Sequence, residues 1–154
     1  MSPNLAAFLD AIAWSEIGPA LLANPATDNG YKIMVGSTPD HPILIPSYIT
    51  HPRVHNAALN SDAAGRYQFL GRYWPAYKLQ LSLPDFGPES QDKWCVQLIK
   101  ECHALDDVLT GHFTVAVAKC SSRWASLPGN TYGQRMNTVA SLEDAYERAG
   151  GQFA

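Results

Sequence analysis

Glu16 occupies a position where packing calls for an apolar residue. At about 100° per residue along a helix, Leu5, Leu9, Ile12 and Glu16 project in nearly the same direction. A carboxylate in the last turn of such a helix is disfavoured by burial and by the negative end of the helix dipole. Both effects favour the protonated form, which is what a general acid requires. The residue type equally allows a Glu that reaches the surface from a fraying helix end. Further carboxylates come from Asp28, Asp40 and Asp62, each in a Gly/Pro/Asn-type turn context where a solvated Asp is the ordinary case. Two polar segments complete the candidates. Ser61 to Gln68 combines small residues, which let a backbone approach a ligand, with the donors and acceptors of Tyr67 and Gln68. Trp124 to Gln134 has a turn-forming middle that presents Tyr132 and Gln134. Taken singly, each segment also reads as an ordinary loop.

The elements that must position these groups are short. A helix is expected from Ser2-Pro3 to Gly18-Pro19, with Ser2 as cap and Pro3 at its first position. A Pro/Asn/Asp-rich connection leads to Asn29-Gly30, a hairpin-type turn signal. Alternation over Tyr31 to Gly36 reads as a strand with one buried face. Ile43 to Ile45, fenced by Pro42 and Pro46, reads as a second strand, and Tyr48 to Thr50 as a third. Residues 27–55 are thus expected to form a small antiparallel β lobe inserted after the first helix. From Gly71 the pattern turns helical, with Pro75 in a first turn where it is tolerated. Further helices are expected from Pro88, over Asp106 to Leu109, over Phe113 to Cys120, and from Ser141 to Gly150-Gly151. The fold class is α+β, a mainly helical body with a small β lobe and a cleft between them into which Glu16 would point.

Composition narrows the function. The chain has 154 residues, enough for one domain (1–154), with 46% hydrophobic and 16% charged residues. Net charge is −3 and the 11 Lys and Arg are scattered, which argues against a nucleic-acid or membrane-surface patch. Three cysteines, Cys95, Cys102 and Cys120, argue against a disulfide framework and read as small core residues. No metal or cofactor is expected. Cys95, Cys102 and His103 lack zinc-site spacing, and Pro52 breaks the helical spacing between His51 and His55, which with His41 would be the ligands of a metal-dependent peptidase. Neither a secretion signal nor a membrane-spanning run is recognised, so residence in the cytoplasm is expected until something releases the protein.

The clusters together resemble the lysozyme (endolysin) family of bacteriophage lambda. The likeness is carried by Ala6 to Asp10, Ala13-Trp14-Ser15-Glu16, Gly30-Tyr31, Val35-Gly36, His51-Pro52-Arg53, Ala64-Gly65-Arg66-Tyr67-Gln68, Asp85-Phe86, Ser90-Gln91-Asp92, Trp124 to Gly129 and Tyr132-Gly133-Gln134, in order along nearly the whole chain. The resemblance implies a lysozyme-like fold and a lytic transglycosylase acting on the glycan strands of bacterial peptidoglycan. It implies Glu16 as catalytic acid and base, Gln68 as the glutamine that orients the sugar, and Tyr132 as an active-site tyrosine. Ser61, Arg66 and Tyr67 are placed with them as substrate-binding residues, Arg66 having a structural role as its alternative. The family pattern carries an Asp directly after Gly-Tyr where this chain has Lys32, and residues 37–50 diverge. The resemblance further implies a monomeric phage enzyme, held in the host cytoplasm until a holin releases it to act in the periplasm. A water-using muramidase with a second carboxylate and a non-catalytic glycan-binding virion domain are the alternatives.

Overall fold

The computed structural model describes residues 1–129 and 137–154. The expectations for Tyr132 and for the loop residues from Asn130 to Gln134 lie outside the described residues. The chain divides into two compact units, one comprising Met1–Glu16 with Cys95–Ala154, the other Ile17–Trp94.

Helix α1 spans Pro3–Ile17. Its start is capped as the sequence predicts: Leu5 N–H donates to Ser2 Oγ at 3.2 Å, and Ala6 N–H to the Ser2 carbonyl at 3.0 Å. It buries Ala7, Phe8, Leu9, Ala11, Ile12 and Ala13, the apolar face on which Glu16 continues. Gly18, at φ 89°, ends it. Helix α2 covers Pro19–Ala23, α3 Trp74–Gln80, α4 Pro88–Glu101, α5 Leu105–Thr110, α6 Phe113–Cys120 and α7 Val139–Arg148. Single 3₁₀ turns lie at Pro25–Thr27 and Gly71–Tyr73. The last helix starts before the predicted Ser141: Thr138 is its cap, with Oγ1 accepting from Ser141 N–H at 3.1 Å.

In the first unit, Phe113 is the centre of the aromatic packing. Its ring lies 5.7 Å from Phe8, 4.5 Å from Tyr146 and 6.0 Å from Phe153. The C-terminal tail docks against the end of α5, where Ala154 N–H donates to the Gly111 carbonyl at 3.0 Å. Cys95 and Cys120 are buried, Cys102 is half-buried, and none of the three forms a disulfide.

In the second unit the expected three-stranded sheet is replaced by antiparallel bridges. Ile33 pairs with Leu44, and Met34 with Ala64. Backbone bonds from Met34 N–H to Ile43 O (2.8 Å), Ile45 N–H to Lys32 O (2.8 Å), Val35 N–H to Ala63 O (2.9 Å) and Gly65 N–H to Ile33 O (2.7 Å) lay residues 32–35 between 43–45 and 63–65. No strand of regular length forms among the described residues. Pro42 and Pro46 have no N–H to extend a ladder, and Gly36 at φ 90° turns the chain away. The segment Tyr48–Thr50 does not pair as a strand. Tyr48 O accepts from Phe86 N–H at 2.7 Å, and Thr50 Oγ1 accepts from Trp74 Nε1 at 2.8 Å. The tryptophans Trp74 and Trp94 here, and Trp124 in the first unit, are core residues, 1–4% exposed. Trp94 stacks on Phe69 with centroids 4.0 Å apart. No helix among the described residues is long and apolar enough to cross a membrane.

Candidate active site

Glu16 lies in the last turn of α1, half-buried. Burial pushes its carboxyl from an ordinary 4.5 up to about 7, and a hydrogen bond from Ser126 opposes that shift. Among the described residues no charged group contributes to the shift. The carboxyl therefore holds a proton around neutrality for want of solvation, as a general acid does.

The polar partners of Glu16 form a chain within the first unit. Ser126 Oγ donates to Glu16 Oε1 at 2.8 Å, and Ser15 Oγ donates to Ser126 Oγ at 2.8 Å. Asn137 Nδ2 in turn donates to Ser15 Oγ at 2.9 Å, while Asn137 N–H donates to the Ser126 carbonyl at 2.9 Å. Trp14-Ser15-Glu16 and Trp124-Ala125-Ser126 are thus joined through side chains 110 and 111 positions apart in sequence. Ser15 and Ser126 carry no assigned role in the sequence reading, and Asn137 is absent from it. Spacing of this length carries no periodic signal that would have found them.

The second unit builds the segment Gly65–Gln68. Gln91, fully buried, is its anchor: Oε1 accepts from Arg66 N–H at 2.9 Å, and Nε2 donates to Tyr31 O at 3.0 Å and Phe86 O at 2.8 Å. Asp92 Oδ1 accepts from Tyr67 OH at 2.6 Å and from Tyr31 OH at 2.9 Å. Arg66 donates through Nε to Asn29 O at 3.0 Å and through Nη1 to Tyr67 OH at 3.1 Å, with its guanidinium 5.3 Å from the centre of the Tyr31 ring. Burial and the adjoining Asp92 carboxylate push the Tyr31 phenol up to about 12. Gly30-Tyr31, Gly65 to Gln68 and Ser90-Gln91-Asp92, three motifs that the sequence offers separately, are one network.

This corrects the expectation for Tyr67 and favours the structural alternative for Arg66. Tyr67 is 0% exposed and Arg66 4%, and Arg66 Nε, Arg66 Nη1 and Tyr67 OH have partners within the unit. They support the segment and offer no surface to a ligand. Gln68 differs. It is half-buried at φ 52°, its Nε2 donates to Gly65 O at 2.9 Å, and its Oε1 has no partner among the described residues. Ser61 is half-buried, with Oγ accepting from Ala63 N–H at 3.2 Å and its own proton left to donate. Replacing Tyr67 with phenylalanine should lower stability by about 1–2 kcal/mol through the hydrogen bonds lost around Asp92. Thermal denaturation reads this, and an unchanged melting temperature would show that the network contributes nothing.

The other candidates are spoken for or solvated. Asp62 Oδ1 accepts from Gly71 N–H at 3.0 Å. Asp28 is exposed in a left-handed conformation (φ 50°) and accepts from Tyr48 OH. Asp40 is exposed in a turn. Lys32 sits over the Tyr48 ring at 5.6 Å. His51 is 1% exposed, with Nε2 2.7 Å from Phe69 O and Nδ1 accepting from Arg53 N–H at 3.0 Å, so neither ring nitrogen is available to a metal.

A sequence model described as Endolysin matches residues 6–153. The endolysin of Escherichia phage P2 is 43% identical over 157 aligned positions, covering 96% of this chain and 93% of that protein. The endolysin of Escherichia phage lambda is 43% identical over 148 positions, covering 94% and 90%. The solved structure of bacteriophage lambda lysozyme complexed with a chitohexasaccharide matches with a TM-score of 0.88 and 40% identity, over 100% of this chain and 98% of that one. A second structure of lysozyme from bacteriophage lambda matches with a TM-score of 0.85 and 39% identity. The fold is lysozyme-like, and with likeness of this extent from Ala6 to Phe153 the chain belongs to the endolysin family, phage enzymes that degrade bacterial peptidoglycan.

Proposed function

We propose that this endolysin is a lytic transglycosylase, with Glu16 serving in turn as general acid and general base. The observation that carries this reading is the half-buried Glu16 carboxyl, its pKa raised to about 7 by burial and contacted among the described residues by one hydroxyl, Ser126. Protonated Glu16 gives its proton to the oxygen of the β-1,4 bond between N-acetylmuramic acid and N-acetylglucosamine. That bond breaks, and the N-acetylglucosamine side leaves with its hydroxyl restored. The Glu16 carboxylate then takes the proton of the muramic acid C6 hydroxyl, whose oxygen bonds to C1 of the same ring and closes a 1,6-anhydro product. Glu16 regains its proton and no water is consumed. One carboxylate suffices because the nucleophile is tethered to the reacting carbon.

Gln68 Oε1 and the Ser61 hydroxyl supply sugar contacts, and Tyr132 is assigned to the same glycan site. Arg66 and Tyr67 hold the Gln68 segment in place. The chitohexasaccharide on the lambda enzyme supports an amino-sugar chain as ligand. On this reading residues 1–154 act as one catalytic domain and as a monomer. The enzyme collects in the host cytoplasm, and a holin releases it to the periplasm for lysis.

A hydrolase would need a second carboxylate, about 5 Å from the first if retaining and about 6.5–9.5 Å if inverting. Asp62 is fastened to Gly71 N–H, and Asp28 and Asp40 are exposed. Changing each of the three to asparagine should leave turnover of purified peptidoglycan within about threefold of the parent. A loss of about 10³-fold in any one of them, the size of an acid–base contribution, would replace this reading with a two-carboxylate muramidase.

A further inference from the structure

We propose that Asn137 is a positioning residue that fixes, through Ser15 and Ser126, which oxygen of Glu16 carries the catalytic proton. The inference rests on the reading of Glu16 as acid and base.

The direction of the chain follows from donor and acceptor chemistry. Asn137 Nδ2 lies 3.2 Å from the Ser15 carbonyl and 3.5 Å from the Ser126 carbonyl. Carbonyls only accept, so that end of the side chain is the NH₂ group, a pure donor. Its bond to Ser15 Oγ (2.9 Å) therefore makes Ser15 the acceptor there, and sends the Ser15 proton to Ser126 Oγ at 2.8 Å. Ser126, accepting from Ser15, sends its own proton to Glu16 Oε1, also at 2.8 Å. The same order follows from the other end when Glu16 is ionised: a carboxylate only accepts, so the single proton of Ser126 goes to Oε1 and Ser126 must accept from Ser15. Glu16 Oε1 is thereby the acceptor of the ionised form, and keeping the same hydroxyl orientation on protonation leaves it an acceptor in the acid form. The acid form carries its proton on Oε2, which has no partner among the described residues and is the oxygen left for substrate.

The arrangement also suits a group that must change charge twice per turnover. A hydroxyl already aimed at Oε1 needs no reorientation when the carboxylate forms, which is the advantage of a preorganised donor. A hydroxyl free to rotate would spend part of its time as an acceptor and leave the new charge unsolvated.

The test is a carbon-detected NMR titration of Glu16 in the full chain, run beside the pH profile of kcat. Ser126→Ala should move the titration upward by about one pH unit, since it removes a donor to the charged form. Asn137→Ala should move it in the same direction by less. The double variant should move it no further than Ser126→Ala alone, because Asn137 acts only through Ser126. Ser126→Thr, which keeps the hydroxyl, should titrate like the parent. Should Asn137→Ala fail to fold, Ser15→Ala, a change that favours helix, cuts the same chain and should give the same upward movement. An unmoved titration in Asn137→Ala or Ser15→Ala, or additive shifts in the double variant, would overturn the proposal. Failure of the catalytic reading is separate: a Glu16→Gln enzyme that still turns over would remove that reading while leaving the titration shifts in place.

Discussion

Replacing Glu16 with glutamine is expected to reduce glycan cleavage by about 10³-fold or more, and to leave a folded protein that is more stable than the parent above pH 7. Loss of the acid removes proton donation to the leaving oxygen and proton removal from the C6 hydroxyl together. The stability effect has its own sign. Burial raises the Glu16 pKa from 4.5 to about 7, so between those values the folded chain keeps a proton that the unfolded chain has released. Stability therefore falls as pH rises through that window, and above it the ionised carboxylate sits where it is poorly solvated. Glutamine removes this slope, a gain of about 1–2 kcal/mol above pH 7 for a half-buried group. In the parent, activity should fall as pH rises through about 7, as the acid form is lost. Denaturant unfolding of both proteins at acid and alkaline pH checks the first effect and initial rates across pH the second. Equal pH dependence of stability in the two proteins would mean that Glu16 is solvated.

Changing Gly65 to alanine is expected to be the most damaging small substitution in the second unit. Gly65 has φ 84°, a conformation that costs an L-residue about 1–2 kcal/mol. A Cβ there would collide with Gln91 Oε1 and lie 2.9 Å from Gln91 Cδ and 3.0 Å from Phe86 Cζ. Gln91 cannot move aside without releasing Arg66 N–H, Tyr31 O and Phe86 O. Overpacking adds about 1–3 kcal/mol, so a melting temperature lower by roughly 4–20 °C follows. Gly150 is the control: its φ is 93° but nothing lies within 4 Å of the added carbon. Gly150→Ala should show the backbone cost alone. Equal losses in the two variants would mean that the Gln91 contact is unimportant.

The helical framework was largely legible in the sequence, because apolar period, Ser2, Pro3 and Gly18 all specify α1 in agreement. The same consistency marks α6, whose Phe113–Cys120 span is found as read. The start of α7 was not, since Thr138 and Ser141 are both capping residue types and only the structure shows Thr138 Oγ1 accepting. Alternation from Tyr31 to Gly36 suggested a strand, but pairing partners decide sheet formation. Here one of them is Ala64, outside the predicted lobe, and two prolines interrupt the other. At the site, Glu16 stood out because its neighbours on the helix are apolar. The chemistry of Tyr67 suits a sugar, and the family resemblance places Arg66 beside it with a structural role as its alternative; nothing local reports that Asp92 and Asn29 claim them. Asn137 lies 122 positions from Ser15, and no sequence pattern reaches that far.

The most direct test of the single-carboxylate mechanism is mass spectrometry of the muropeptides released from purified peptidoglycan by the enzyme in heavy-oxygen water. The expected products are lighter by one water molecule than the corresponding hydrolysis products, carry no heavy oxygen and add no reducing ends, because the C6 oxygen of the same sugar closes the ring. Products that carry one heavy oxygen at a reducing muramic acid end would contradict it: water would then be the nucleophile, and a second group beside Glu16 would have to activate it.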